Sequence, residues 1–212
     1  MRELGIYYWN DDANIQKGRA MIIGPEGTPY AFCPLIFSLE FPPDYPFVSP
    51  RVQIMTSDGH TRFHPNLYVG GKVCLSILGT WQGPAWASTM SISTVLKSIQ
   101  SLLEANPIVN EPGWEKYKLT EPKAAAYAAW VQWGLTSYSH SLLRIWQRDK
   151  NVGHVFAEFA EELEEIGPAL LISLEGIIRA KAEKGDELFE TVPYNMGGTT
   201  NWKGLCVNCS SV

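Results

Sequence analysis

Four short apolar runs, spaced too closely for anything but neighbouring strands, constrain this chain more than any other feature. They are Ile6–Trp9, Asn14–Ile23, Cys33–Phe41 and Arg51–Met55. Turn chemistry separates them: Asn10-Asp11-Asp12, then Gly24-Pro25-Glu26-Gly27-Thr28-Pro29, then Pro42-Pro43-Asp44-Tyr45-Pro46. Parallel strands need a crossover of a dozen or more residues, so these spacings predict an antiparallel meander. Pro42–Pro50 is too rich in proline for a central strand and reads as a stiff loop presenting Tyr45 and Phe47.

The period changes after a long loop, Gly79–Ser88, that carries Trp81, Pro84 and Trp86. Ile92, Val95, Leu96, Ile99, Leu102 and Leu103 recur on one face of a helix, with Ser91 as N-cap and Asn106-Pro107 ending the run. Its outward face holds Thr94, Lys97, Ser98 and Ser101, polar and nearly uncharged, which suits a docking surface. Further helices are expected over Pro122–Trp146, Val152–Ile166 and Ala169–Lys184, with Gly167-Pro168 breaking the last two apart. A loosely ordered tail is expected from Gly185. The fold class is α+β: a four-stranded antiparallel sheet on a central helix, with C-terminal helices. Residues 1–150 form one unit and 151–212 an acidic helical extension.

Charge supports that division. Residues 1–150 carry 13 Lys+Arg against 12 Asp+Glu, whereas 151–212 carry 4 against 10. No basic stripe suits nucleic acid, and no run reaches the ~18 apolar residues of a membrane span. The four cysteines, with no signal-peptide core ahead of them, fit reduced thiols in the cytoplasm or nucleus. Cys206-Val-Asn-Cys209 is a lone Cys-x-x-Cys whose other candidate ligands, such as His154, are distant. It reads as a solvent-facing dithiol, and no metal is expected. Cys33, between Phe32 and Pro34, reads as buried.

Cys74 stands apart. His64-Pro65-Asn66 lies just upstream, a Gly70-Gly71 turn intervenes, and Val73, Leu75, Ile77 and Leu78 flank the thiol. Strand-like alternation over Val73–Ile77 would place Cys74 and Ser76 on one face. An asparagine held by proline and folded back toward a single thiol is a candidate acyl-transfer site. A thiol at the ordinary pKa of ~8.5 is about 7% thiolate at pH 7.4, enough for exchange with an activated thioester but not for attack on an amide.

The order of these parts resembles the ubiquitin-conjugating enzymes. The matching residues are Gly24-Pro-Glu-Gly-Thr-Pro-Tyr30, Phe41-Pro-Pro-Asp-Tyr-Pro-Phe47, His64-Pro-Asn66 and Gly71-Lys-Val-Cys-Leu-Ser-Ile-Leu78. Gly79-Thr-Trp-Gln-Gly-Pro-Ala-Trp86 followed by Ser91-Ile-Ser is similar to the branch containing the Z-type enzyme and the giant BIR-domain conjugating enzyme/ligase. The resemblance covers roughly residues 4–118 and is weaker to about 150. It departs in one place: the family's opening amphipathic helix is missing, since Met1 stands almost at the first strand. That helix carries much of the surface for the activating enzyme, so its absence reads as truncation or as another way of receiving cargo.

The resemblance implies that Cys74 accepts ubiquitin or a ubiquitin-like protein as a thioester and passes it to a lysine. The activating enzyme alone uses ATP, and no cofactor is implied. Asn66 would donate to the oxyanion or brace the loop. His64 and Pro65 would be structural, His64 pinning the loop rather than acting as base. Glu111 would orient the incoming lysine or stand as an exposed turn residue. Phe47, Pro84 and Ala85 mark where ligases dock. Trp86 would pack beside the active site, while Tyr45 and Trp81 belong to the core. Thr94, Lys97 and Ser101 would touch the linked ubiquitin or form a solvated face. The rival reading is a non-catalytic ubiquitin- or ligase-binding module that cannot be charged. A cysteine hydrolase fits least, since no histidine is placed to activate the thiol.

Overall fold

The computed structural model describes residues 1–150 and 156–209. The meander forms: β1 (Ile6–Asn10), β2 (Lys17–Ile23), β3 (Pro34–Glu40) and β4 (Arg51–Ile54) pair antiparallel in chain order. The register sets Tyr8 opposite Ala20, Met21 opposite Ile36 and Leu39 opposite Val52. Burial runs nearly unbroken through β2 and β3, the signature of strands covered on both faces. Gly24 closes the loop between them. A Cβ there would meet the Tyr30 carbonyl oxygen at 1.9 Å, so only glycine lets the chain cross itself.

Helix α1 (Ile92–Leu102) lays Val95, Leu96 and Ile99 against the sheet. The Thr94 hydroxyl accepts the Ser91 N–H at its start. Thr94, Lys97 and Ser101 remain exposed on the other face. Helix α2 (Pro122–Arg148) opens on proline, whose missing N–H is needless at a first turn. Its apolar stripe, Tyr127, Val131, Leu135 and Leu143, joins the same core. Among the described residues no helix is long and apolar enough to cross a membrane.

Two expectations about the C-terminal part fail. Gly167-Pro168 does not break the chain, because α3 runs continuously from Ala160 to Lys184 with Pro168 inside. A helical proline costs about 3 kcal/mol against alanine. Here Leu163, Leu170, Leu171, Leu174 and Ile178 make one buried stripe, each burial stabilising by roughly 1.5–3 kcal/mol. Tertiary packing therefore outweighs the local preference. Pro168 faces solvent, where the Glu164 carbonyl it leaves unbonded can take water. Gly167 lies against Trp146 of α2, its Cβ position 3.3 Å from the indole. The first residues of the expected third helix, and His154, lie outside the described residues.

The stretch after Gly185 is folded rather than loose. β5 (Leu188–Thr191) and β6 (Met196–Thr199) form a hairpin, and a short α4 (Trp202–Val207) follows. Trp202 and Leu205 are buried against Ile178, and Trp133 meets Trp202 edge-on. These contacts cover Trp133 of α2 and Ile178 of α3, which an unfolded tail would leave wet.

Replacing Pro168 with alanine restores an intrahelical donor at an exposed position. Urea unfolding of Pro168→Ala is expected to show a gain of about 1–3 kcal/mol. A loss would mean that the packing of α3 on Trp146 needs the proline.

Candidate functional site

Residues 62–80 form an irregular, largely buried loop, so their backbone groups must find partners outside any ladder. Two buried tyrosines anchor its start: Tyr30 Oη donates to the Phe63 carbonyl and Tyr127 Oη to the Arg62 carbonyl, both at 2.8 Å. The expected strand over Val73–Ile77 is absent. Isolated bridges pair Gln53 with Lys72 and Leu67 with Val73, and a 3-10 turn over Ser76–Leu78 follows. Gly71, at φ 93°, makes the reversal that an L side chain would strain.

That reversal brings Asn66 and Cys74 together. The Cys74 N–H donates to the Asn66 carbonyl, and Asn66 Nδ2 donates to the Cys74 carbonyl, each at 2.8 Å. The Asn66 side chain, almost fully buried, therefore bonds to the backbone of the very residue it was expected to serve. His64 Nδ1 accepts the Asn66 N–H at 2.9 Å. Burial, reinforced by the charge of Arg62 and opposed by the Leu102 backbone, pushes the imidazole pKa down to about 3. His64 is neutral, with Nδ1 committed to the Asn66 N–H.

The thiol is covered. Cys74 is 1% exposed. Thr80 Oγ1 accepts the Leu75 N–H at 2.9 Å and donates to the Val73 carbonyl at 2.7 Å, closing the chain around the cysteine. Gly83 folds back on Ser76, where a Cβ would come within 2.9 Å of its side chain. Trp86 Nε1 donates to the Pro46 carbonyl at 2.7 Å, tying this loop to the proline loop beside Tyr45.

The remaining expected residues are spread around this centre. Phe47 is 81% exposed, and Pro84 and Ala85 are exposed with it. Tyr45 packs edge-on against Phe41, while Trp81, expected in the core, is 44% exposed because its loop turns outward. Cys33 is buried, its thiol pKa pushed up to about 12 by burial.

Glu111 is half-buried and accepts a hydrogen bond from the Tyr194 hydroxyl. Tyr194, at the tip of the β5–β6 hairpin, also faces the Arg62 guanidinium, 4.6 Å from its ring. Arg62 lies 3.4 Å from the Tyr68 ring and donates to the Pro65 carbonyl. Hairpin, arginine and His-Pro-Asn loop are thus linked. Sequence reading missed Arg62 and Tyr194. Arg62 adjoins the recognised motif, but Tyr194 sat in a stretch with no apolar period. One grouping of described residues could hold a metal, and it lies on other elements: His140, Glu175 and Cys209.

Comparison with known proteins places this geometry. Residues 2–131 match the family described as "Ubiquitin-conjugating enzyme". The human "Ubiquitin-conjugating enzyme E2 Z" is 52% identical over 113 residues, 53% of this chain and 32% of that protein. The human "Dual E2 ubiquitin-conjugating enzyme/E3 ubiquitin-protein ligase BIRC6" is 47% identical over 116 residues, 52% of this chain and 2% of that protein. The E2 domain of a Toxoplasma gondii ubiquitin-conjugating enzyme aligns over 62% of this chain and 88% of its own, with 30% identity and a TM-score of 0.47. The matched region spans about a third of the human E2 Z relative.

Two outcomes follow from the loop. In an NMR titration the His64 ring resonances are expected to stay flat from pH 7.5 down to about 5, because the folded-state pKa lies near 3. Protonation then favours the unfolded chain, so His64 withdraws stability as pH falls below ~6.5 toward ~3, by roughly 2 kcal/mol at pH 5. A His64 midpoint near 6.5 would contradict the assignment. For Tyr194→Phe, loss of the bond to a carboxylate is expected to lower unfolding free energy by about 1.5–3 kcal/mol. An unchanged value would show that the contact is incidental.

Proposed function

This chain belongs to the ubiquitin-conjugating enzyme family, and from that premise we propose that it carries ubiquitin or a ubiquitin-like protein as a thioester on Cys74 and transfers it to a lysine amine. The activating enzyme's thioester supplies the acyl group. The Cys74 sulfur takes the carbonyl carbon, and the donor thiol leaves. In the second step a lysine nitrogen attacks the same carbonyl and Cys74 leaves as thiolate. The reaction needs no metal, and ATP is consumed upstream.

The observation that carries this reading is the reciprocal Asn66–Cys74 pairing. It fixes the cysteine backbone beside an amide donor with a second N–H still to give. As the tetrahedral oxyanion forms, that N–H can stabilise it. Glu111, released from Tyr194 or through it, would orient the lysine. A carboxylate raises an amine's pKa, so orientation is its role and not deprotonation. Phe47, Pro84 and Ala85 offer the exposed apolar surface for a ligase, and Thr94, Lys97 and Ser101 the face for linked ubiquitin. A reducing compartment, cytoplasm or nucleus, keeps Cys74 a thiol.

The covered thiol, together with Asn66 and Glu111 already engaged, supports a second reading: a module that binds ubiquitin or a ligase without being charged. Incubation with activating enzyme, ubiquitin and ATP separates the two. A reductant-sensitive adduct, absent in Cys74→Ala, is expected. Asn66→Ala should charge normally yet discharge to free lysine on the order of 10²–10³ slower. No adduct with any ubiquitin-like protein would leave the binding module as the better account. Discharge of Asn66→Ala at the parental rate would remove the oxyanion role alone.

A further inference from the structure

His140, Glu175 and Cys209 come from α2, α3 and the turn after α4, and their ligand atoms lie within 4.8 Å of one another. His140 and Glu175 are buried, at 1% and 4% exposure. His140 Nε2 has no hydrogen-bond partner among the described residues. It points at Glu175 Oε1 from 3.6 Å, too far for a hydrogen bond. A buried ring nitrogen left in this state needs an explanation. Cys206, three residues before Cys209 and outside that grouping, lies half-buried against the same cluster of Ile178, Trp202 and Leu205.

We propose that Cys206, Cys209, His140 and Glu175 form a structural zinc site that fastens α4 to α2 and α3. The donor set is two thiols, one imidazole and one carboxylate, the mixture that a tetrahedral Zn²⁺ takes. Zinc bonds of ~2.0–2.3 Å at tetrahedral angles put neighbouring ligand atoms about 3.3–3.8 Å apart. His140 and Glu175 already stand at that spacing. Cys209, half-buried beyond a six-residue helix, has about an ångström left to close.

Charge agrees with the assignment. Two thiolates and a carboxylate exceed a dication by one negative charge, and Arg179, 3.5 Å from Glu175 Oε2, offsets it. The two carboxylate oxygens divide accordingly, one toward arginine and one toward His140. The sequence reading set a metal aside because it sought partners for the Cys-x-x-Cys among distant histidines. Folding supplies His140, which lies on the helix against which the chain's end packs.

The site is independent of acyl transfer. The test uses the full-length chain, reduced and chelated, titrated with Zn²⁺ and then with Co²⁺. One metal per chain is expected, with a thiolate-to-cobalt charge-transfer band, tetrahedral cobalt absorption and a higher melting temperature with zinc. Cys209→Ser and Cys206→Ser should each weaken zinc binding by more than the roughly 10–100-fold that loss of an outer-shell partner costs. Cys74→Ala should bind zinc as the parent does, which separates this site from the thioester cysteine. Absence of stoichiometric binding by the unmutated reduced chain would overturn the proposal. So would binding that survives loss of both Cys206 and Cys209.

Discussion

A buried loop without a ladder must satisfy each amide by other means, and everything at the candidate site follows from how residues 62–80 do so. An orphaned buried donor or acceptor costs about 1–3 kcal/mol. The Asn66–Cys74 pairing, the Asn66 N–H on His64 Nδ1 and the double role of Thr80 remove several such costs within a few residues. Only a neutral imidazole can accept at Nδ1, so the depressed pKa of His64 and the position of Cys74 express one constraint. The loop that fixes the sulfur also encloses it. Rigidity beneath and closure above are therefore coupled, and the proposed acyl transfer would require them to be separable, with the cover moving while the floor stays.

The part of the chain beyond residue 131, where the family match ends, is built into this floor. Tyr194 of the C-terminal hairpin meets both Arg62 and Glu111, and Arg62 is held from the matched part by Tyr127 of α2, which bonds its carbonyl. Cation–π contacts of this kind stabilise by about 0.5–2 kcal/mol each, more where water is excluded. The buried cluster runs from Ile6 to Leu174 without interruption. The hairpin reaches Arg62 and Glu111 because it lies along α2, with Phe189 against Trp130 and Tyr194 against Tyr127.

Much of this was legible in the residues. The meander declared itself through turn chemistry between β1 and β4, and α1 through an apolar period that Ser91 punctuates. The motif makes His64 an expected brace, and the fold gives its Nδ1 the Asn66 N–H as partner. What failed was decided at a distance. Pro168 signals a break locally, but the leucine stripe on either side of it pulls the helix straight through. Tyr194 and Trp202 sit among glycines and threonines that carry no period, and they earn their order from partners far away in sequence. Alternation, a local rule, puts Cys74 and Ser76 on one face of a strand over Val73–Ile77. No strand forms there: Thr80 and Gly83 fold back onto Val73, Leu75 and Ser76 within a few residues, a loop closure that alternation does not describe.

The account turns on whether the cover over Cys74 opens while the fold beneath holds. Alkylation of Cys74 in the native chain, followed by mass spectrometry across low concentrations of urea, measures this. A local opening predicts modification far faster than global unfolding, at a rate nearly independent of denaturant, while the Cys74 amide stays protected from hydrogen exchange. If Cys74 reacts only at the rate of global unfolding, rising with urea on the full unfolding slope, the sulfur is a core atom and cannot be the carrier.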